Sequence, residues 1–171
     1  SRGPARRPTT VLLVRHGRTP TTGKVLPGRA KGLHLSDEGR RQAEAAAERI
    51  ASLGSVDALY CSPLERTRET AAPIAKALGM RAVTDRGLLE CDFGDWTGQS
   101  LSKLSKLPEW RTVQQAPSTF RFPGGESFTE MQVRMVSAID RIRAAHPGGT
   151  VVCVSHADPI KAVVAHAVGT H

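Results

Sequence analysis

Thr9-Thr10-Val11-Leu12-Leu13-Val14-Arg15-His16-Gly17 sets four apolar residues together behind two threonines, then stops on an arginine and a histidine. A short apolar run without alternation suits a strand buried on both faces. Strands of that kind belong to parallel sheets covered by helices on either side, so the chain should alternate strands with helices. A second such run, Thr150-Val151-Val152-Cys153-Val154, ends in a similar way on Ser155-His156.

The sequence between the two runs fits that expectation. Ser36 can cap a helix over residues 37–53, with Asp37 and Glu38 at its positive end, Ala43, Ala46, Ala47, Ile50 and Leu53 at helical spacing, and Gly54 as a stop. Residues 56–61 read as the second strand. Ser62-Pro63 opens a helix running to Leu78, with Gly79 ending it, and residues 81–84 form a short third strand. Residues 126–146 make a long amphipathic helix broken by Pro147-Gly148-Gly149, and Asp158-Pro159 starts the last helix, closed by Gly169. Residues 18–34, 87–98 and 117–125 read as loops, and residues 100–107 as a short helix. The expected fold is a three-layer α/β/α sandwich with a mostly parallel central sheet. It occupies residues 9–171 as one domain, after a flexible basic tail over residues 1–8.

Composition narrows the function. The chain has 171 residues, 39% hydrophobic and 23% charged, which fits a soluble globular domain. No apolar run approaches the length that spans a bilayer, and none near the N-terminus has the form of a signal peptide, so no membrane role is expected and a cytoplasmic location is the default. Cys61, Cys91 and Cys153 lie far apart with no C-x-x-C pair; this argues against a disulfide framework or a cysteine zinc site and for free thiols near the core. The net charge of +8 could serve nucleic acid, a plain basic surface or an anionic substrate. There is no Lys/Arg block and aromatics are 4% of the chain, so a basic surface ranks first, steering of a small anion second and nucleic acid last. The oligomeric state is not legible.

Ligands of open α/β sheets bind beyond the carboxyl ends of the strands. There the sequence puts Arg15 and His16 after the first strand, Ser62 and Arg66 after the second, and Ser155 and His156 after the last. The arginine forks match phosphate oxygens, and the helix start holding Arg66 adds free N–H groups. The cluster reads as an anion site of the size of one phosphoryl group. A lone R-H-G carries little; its position directly after a buried strand, repeated by the second histidine, raises its weight. His34, His146, His166 and His171 read as surface or capping residues, no two of them paired at i, i+4, so no metal and no cofactor is expected. Trp96 and Trp110 read as packing residues.

V-R-H-G-R-T, C-S-P-L-E-R-T-R-E-T-A, L-L-E-C-D-F-G-D-W-T-G, F-P-G-G-E-S and V-S-H-A-D-P-I-K, spread in this order from Val14 to Lys161, resemble the motif series of the histidine phosphatase (phosphoglycerate mutase-like) superfamily. The resemblance implies that His16 accepts the phosphoryl group, that Arg15, Arg66 and His156 complete the phosphate pocket, and that Glu90 is the proton donor. The chemistry agrees. A neutral imidazole can attack phosphorus, Arg15, Arg66 and a protonated His156 can neutralise the equatorial oxygens, and Glu90 can protonate the leaving alkoxide. Asp92 and Asp95 compete for the acid role, and Arg68 competes with Arg66. Three positions depart from the family pattern: Arg18 for Glu or Gln, Thr22 for Asn, and Ala157 for Gly. Thr22 can still donate to phosphate through its hydroxyl. The chain also stops soon after its last helix, where members of the family continue. The expected activity is a metal-independent phosphomonoesterase acting on a small phosphorylated metabolite through a phosphohistidine. A phosphomutase is the alternative, disfavoured by the modest stretch from Glu90 to Gly125 available to cover the pocket. A non-catalytic phosphate-recognising protein stands outside both.

Overall fold

The computed structural model describes residues 6–169; residues 1–5 of the expected tail, and His171, lie outside them. The elements are β1 (Thr10–Arg15), α1 (Asp37–Ser52), β2 (Ala58–Cys61), α2 (Glu65–Leu78), β3 (Ala82–Thr84), α3 (Leu101–Leu104), α4 (Pro108–Gln115), α5 (Phe128–Ala145), β4 (Thr150–Ser155) and α6 (Ala157–Ala167). The four strands form one sheet in the order β1-β4-β2-β3, with every pairing parallel.

β4 sits inside the sheet, and its residues from Val151 to Ser155 are all buried. Val152 and Val154 pack with Ala47 and Ile50 of α1 and Ala71 and Ile74 of α2. Val151 and Cys153 face the opposite way, onto Met135, Ile139 and Ile142 of α5 and Val163 of α6. This is the three-layer architecture, and the period-2 alternation of side chains assigns each residue to its layer. A third cluster of Phe93, Trp96, Phe120, Phe122 and Met131 stands apart from the sheet and supports the loops around the site.

Local signals explain most boundaries. Ser36 accepts from the Gly39 N–H at the start of α1, Gly79 ends α2 in the left-handed conformation, and Ser127 and Glu130 form a reciprocal capping box on α5. Four expectations need correction. α2 begins at Glu65, not at Ser62-Pro63, because the chain stays extended through Leu64. α6 begins at Ala157 with His156 in the cap position, so Asp158 lies inside the first turn rather than capping it. Residues 100–107, read as a short helix, hold only the four-residue α3, and a further helix, α4, follows in a stretch to which no element was assigned, started by Pro108 at its first position. α5 starts at Phe128, two residues later than expected.

Candidate active site

The carboxyl ends of β1, β2 and β4 converge, and the His16 backbone N–H closes the β1 end onto the carbonyl of Ser155. Gly17 follows and approaches α1 so closely that a Cβ there would lie 2.4 Å from the Gly39 carbonyl oxygen. His16 Nδ1 lies 2.7 Å from the Gly17 carbonyl oxygen. A carbonyl can only accept, so Nδ1 carries the proton and Nε2 carries the lone pair. Burial lowers the His16 pKa to about 4, and Arg66 and Arg15 lower it further against the Gly17 bond, which raises it. At neutral pH His16 is an uncharged imidazole.

Behind it stand two fully buried groups, His156 and Arg66. The His156 ring meets His16 edge-on at 5.2 Å between centroids. Arg66 gives one N–H to the Gly28 carbonyl at 2.6 Å; its Nε and Nη1, and Nδ1 of His156, have no protein partner. Arg68, the competitor, is exposed, whereas Arg66 is fully buried. His156 Nε2 is 2.8 Å from Ser62 Oγ. Burial, then the positive neighbour Arg66, hold His156 well below the ordinary histidine range. This corrects the expectation of a protonated His156: burial and the neighbouring Arg66 favour the neutral ring.

Glu90 is 5% exposed. Its Oε1 accepts from the Cys91 N–H, and its Oε2 lies 3.9 Å from His156 Nδ1. Burial, followed by repulsion from Asp158, pushes its pKa up to about 8. The competing carboxylates lie elsewhere. Asp92 accepts from the Gly94 N–H within its own turn, and Asp95 is exposed.

Arg15, His16, Thr19, Thr22, Glu90 and Asp158 are among the residues lining a cavity of about 220 Å³, with Arg66 and His156 shielded behind it. The Thr22 hydroxyl is within reach of this cavity but is also held by the Thr19 N–H at 2.9 Å. Arg18 is exposed, bonded to Gln42 through its N–H and near Glu38, and does not line the cavity. Ala157 does line it.

Three features escaped the sequence reading. The first is the pairing of Ser62, which the sequence did place at the strand end, with His156. The second is a brace under Glu90. Arg134 donates to the carbonyls of Gly87, Leu89 and Glu90, Arg29 also donates to the Glu90 carbonyl, and Glu126 binds both Arg134 and the Asp92 N–H. Glu126 lies within F-P-G-G-E-S, so the motif held the clue. The third is Asp158, whose carboxyl is raised above its ordinary pKa by burial.

Comparison with known proteins identifies the family. Over 161 residues the chain is 37% identical to a bifunctional protein of Mycobacterium tuberculosis; the match covers 90% of this chain but only 43% of that protein. It is 34% identical to phosphoserine phosphatase 1 of Hydrogenobacter thermophilus, covering 90% of this chain and 73% of the relative. The native structure of a mycobacterial glucosyl-3-phosphoglycerate phosphatase superposes with a TM-score of 0.84 at 27% identity, covering 94% of this chain and 80% of that one. The sequence profile of the histidine phosphatase superfamily (branch 1) matches residues 11–171, and the chain belongs to that superfamily.

Proposed function

We propose that the protein hydrolyses phosphate monoesters through a phosphohistidine at His16, without a metal ion. One observation carries the reading: a neutral His16, its Nδ1–H held by the Gly17 carbonyl, stands against a buried guanidinium with two N–H-bearing nitrogens lacking a protein acceptor. A buried cation in that state is costly by itself, and a phosphoryl group beside it supplies the missing acceptors. The ends of β1 and β4 and the first turn of α2 hold these groups in place in advance, so little reorganisation accompanies reaction.

In the first step His16 Nε2 attacks phosphorus as the ester P–O bond breaks. Arg15, Arg66 and the His156 Nδ1–H face the equatorial oxygens. Glu90, protonated below about pH 8, gives its proton to the departing alkoxide. In the second step water attacks phosphorus, the P–N bond returns its electron pair to His16, and the Glu90 carboxylate takes the water proton. The His156 proton position follows from Ser62. The Ser62 hydroxyl has His156 Nε2 as its side-chain partner at 2.8 Å, and donation to it leaves the proton on Nδ1. Ser62 is therefore a positioning residue for the phosphate donor. Among the described residues no group of His, Cys, Asp and Glu is arranged to hold a metal, and the positive charge at the site is arginine. The three buried free cysteines fit a reducing, cytoplasmic setting.

The test is trapping. Rapid quench of the protein with a phosphomonoester in EDTA, followed by mass spectrometry under non-acidic conditions, should show one phosphorylated peptide containing His16, absent from folded His16→Ala. Turnover without that adduct, or turnover abolished by EDTA and restored by Mg²⁺ or Zn²⁺, overturns the mechanism.

A further inference from the structure

The phosphate cavity adjoins a second one. Leu26, Phe93 and Asp158 also form part of the wall of a second, larger cavity of about 570 Å³. It lies among α4, the start of α5 and α6, and its surface is mostly apolar: Trp110, Val113, Phe122, Phe128, Met131 and Ala162 supply much of it. Its volume falls within the range of small-molecule sites, which are predominantly apolar.

The two cavities are related by the direction of reaction. The leaving oxygen must depart on the side opposite His16, where the proton donor stands. Glu90 lines the smaller cavity, and Phe93 and Asp158 line both, so the two cavities adjoin on the side of Glu90. The alcohol part of the ester is thereby directed toward the larger one. Its polar side chains are Gln115, Ser118, Thr129, Gln132, Asp158 and Lys161, and three of them are committed within the protein, Gln115 by accepting from Arg111 Nε. Gln132 donates its amide to the Ala162 carbonyl at 3.0 Å, and Thr129 donates its hydroxyl to the Ser118 carbonyl at 3.2 Å. A polyol or sugar entering here would lose water around hydroxyls that find few partners, whereas an alkyl or aryl body would lose only apolar hydration.

We propose that this second cavity receives the leaving group, and that the preferred substrates are phosphate monoesters of alcohols with an extended apolar body rather than of small polyols. The proposal rests on the phosphomonoesterase reading above and adds the substrate class.

The experiment is a homologous series of straight-chain alkyl phosphates, from methyl to hexyl, with 3-phenylpropyl phosphate, glycerol phosphate and phosphoserine for comparison. From ethyl upward the alkanols differ little in acidity, so the series varies apolar contact while leaving the bond-breaking step nearly constant. The value of kcat/KM should rise roughly threefold to fourfold per buried methylene, about a hundredfold from ethyl to hexyl, and the hexyl and phenylpropyl esters should exceed glycerol phosphate and phosphoserine. Val113→Asp introduces a carboxylate into the wall of the larger cavity, away from the catalytic groups. It should flatten the series while leaving ethyl phosphate turnover unchanged. Ala162→Trp, which fills the same space from α6, should act the same way and guards against a folding defect in the first variant. A flat series in the unaltered protein, or a better rate with glycerol phosphate or phosphoserine than with the hexyl ester, overturns the proposal while leaving the phosphatase reading standing. A slope that persists in both variants overturns it too. No hydrolysis of any ester, p-nitrophenyl phosphate included, overturns both.

Discussion

Replacing Glu90 by Gln keeps the shape of the side chain and removes the transferable proton. With a Glu90 pKa of about 8, roughly ten of every eleven protein molecules hold that proton at pH 7, so the unaltered protein is almost fully in its acid form. General acid catalysis contributes about 10²–10⁴-fold, and the contribution depends on how much the leaving oxygen needs a proton. An alkoxide needs it; a p-nitrophenolate hardly does. Single-turnover phosphorylation of His16 in Glu90→Gln should therefore slow by about 10²–10⁴-fold with an alkyl phosphate and less than about tenfold with p-nitrophenyl phosphate. The pH profile gives a second readout. The value of kcat/KM reports free-enzyme ionisations, so for alkyl esters the unaltered protein should lose activity as pH rises through about 8, where Glu90 gives up its proton. It should also lose activity as pH falls toward about 4, where His16 gains one. The alkaline limb should vanish in Glu90→Gln. Equal defects on the two substrates, or an alkaline limb that survives the substitution, would show that Glu90 is not the acid; Asp158→Asn would then be the next variant to measure.

Two further outcomes separate the pocket residues. Arg66→Ala removes two buried charged donor nitrogens that lack protein partners, each hydrogen bond worth about 1.5–3 kcal/mol, so kcat/KM should fall by roughly 10²–10⁴-fold. Arg68→Ala, at an exposed position, should change it less than about threefold; similar losses would reject the assignment. Ser62→Ala should lower kcat/KM by roughly tenfold through loss of one buried hydrogen bond. Imidazole ¹⁵N shifts should show Nδ1 of His156 protonated in the unaltered protein and a mixed tautomer in the variant, and finding the proton on Nε2 before substitution would reject the positioning role.

How much of this was legible before the coordinates depended on how local the cause was. The two buried strands announced themselves because a strand covered on both faces needs an unbroken apolar run, and β1 and β4 both have one. Ser36, Gly79 and Pro147-Gly148-Gly149 act within a single helical turn, so α1 and the ends of α2 and α5 could be read nearly to the residue, whereas the Ser127 cap that starts α5 was not recognised. His16, Arg66 and His156 could be grouped as a candidate site because ligands of open α/β sheets bind beyond the strand ends, a rule of topology rather than of distance. α4 was missed because its apolar face is narrow and only Pro108 marks its start.

The rest required the chain to close. Whether His156 is charged depends on its distance from Arg66 and His16 and on its complete burial, and these arise from segments far apart in the sequence. Glu90 was chosen from a motif, but its environment as a proton donor comes from Asp158, contributed by α6, and from the burial supplied by the surrounding loops. Ser62 and His156 are 94 positions apart and meet because β2 and β4 are neighbours in the sheet. Local sequence determined which elements form and which residues stand at their ends, because hydrogen bonds and apolar periodicity act over a few residues. Protonation states, the brace under Glu90 and the apolar cavity beside the site were decided only by the tertiary structure, because electrostatic coupling and desolvation depend on what the whole fold brings within a few ångströms.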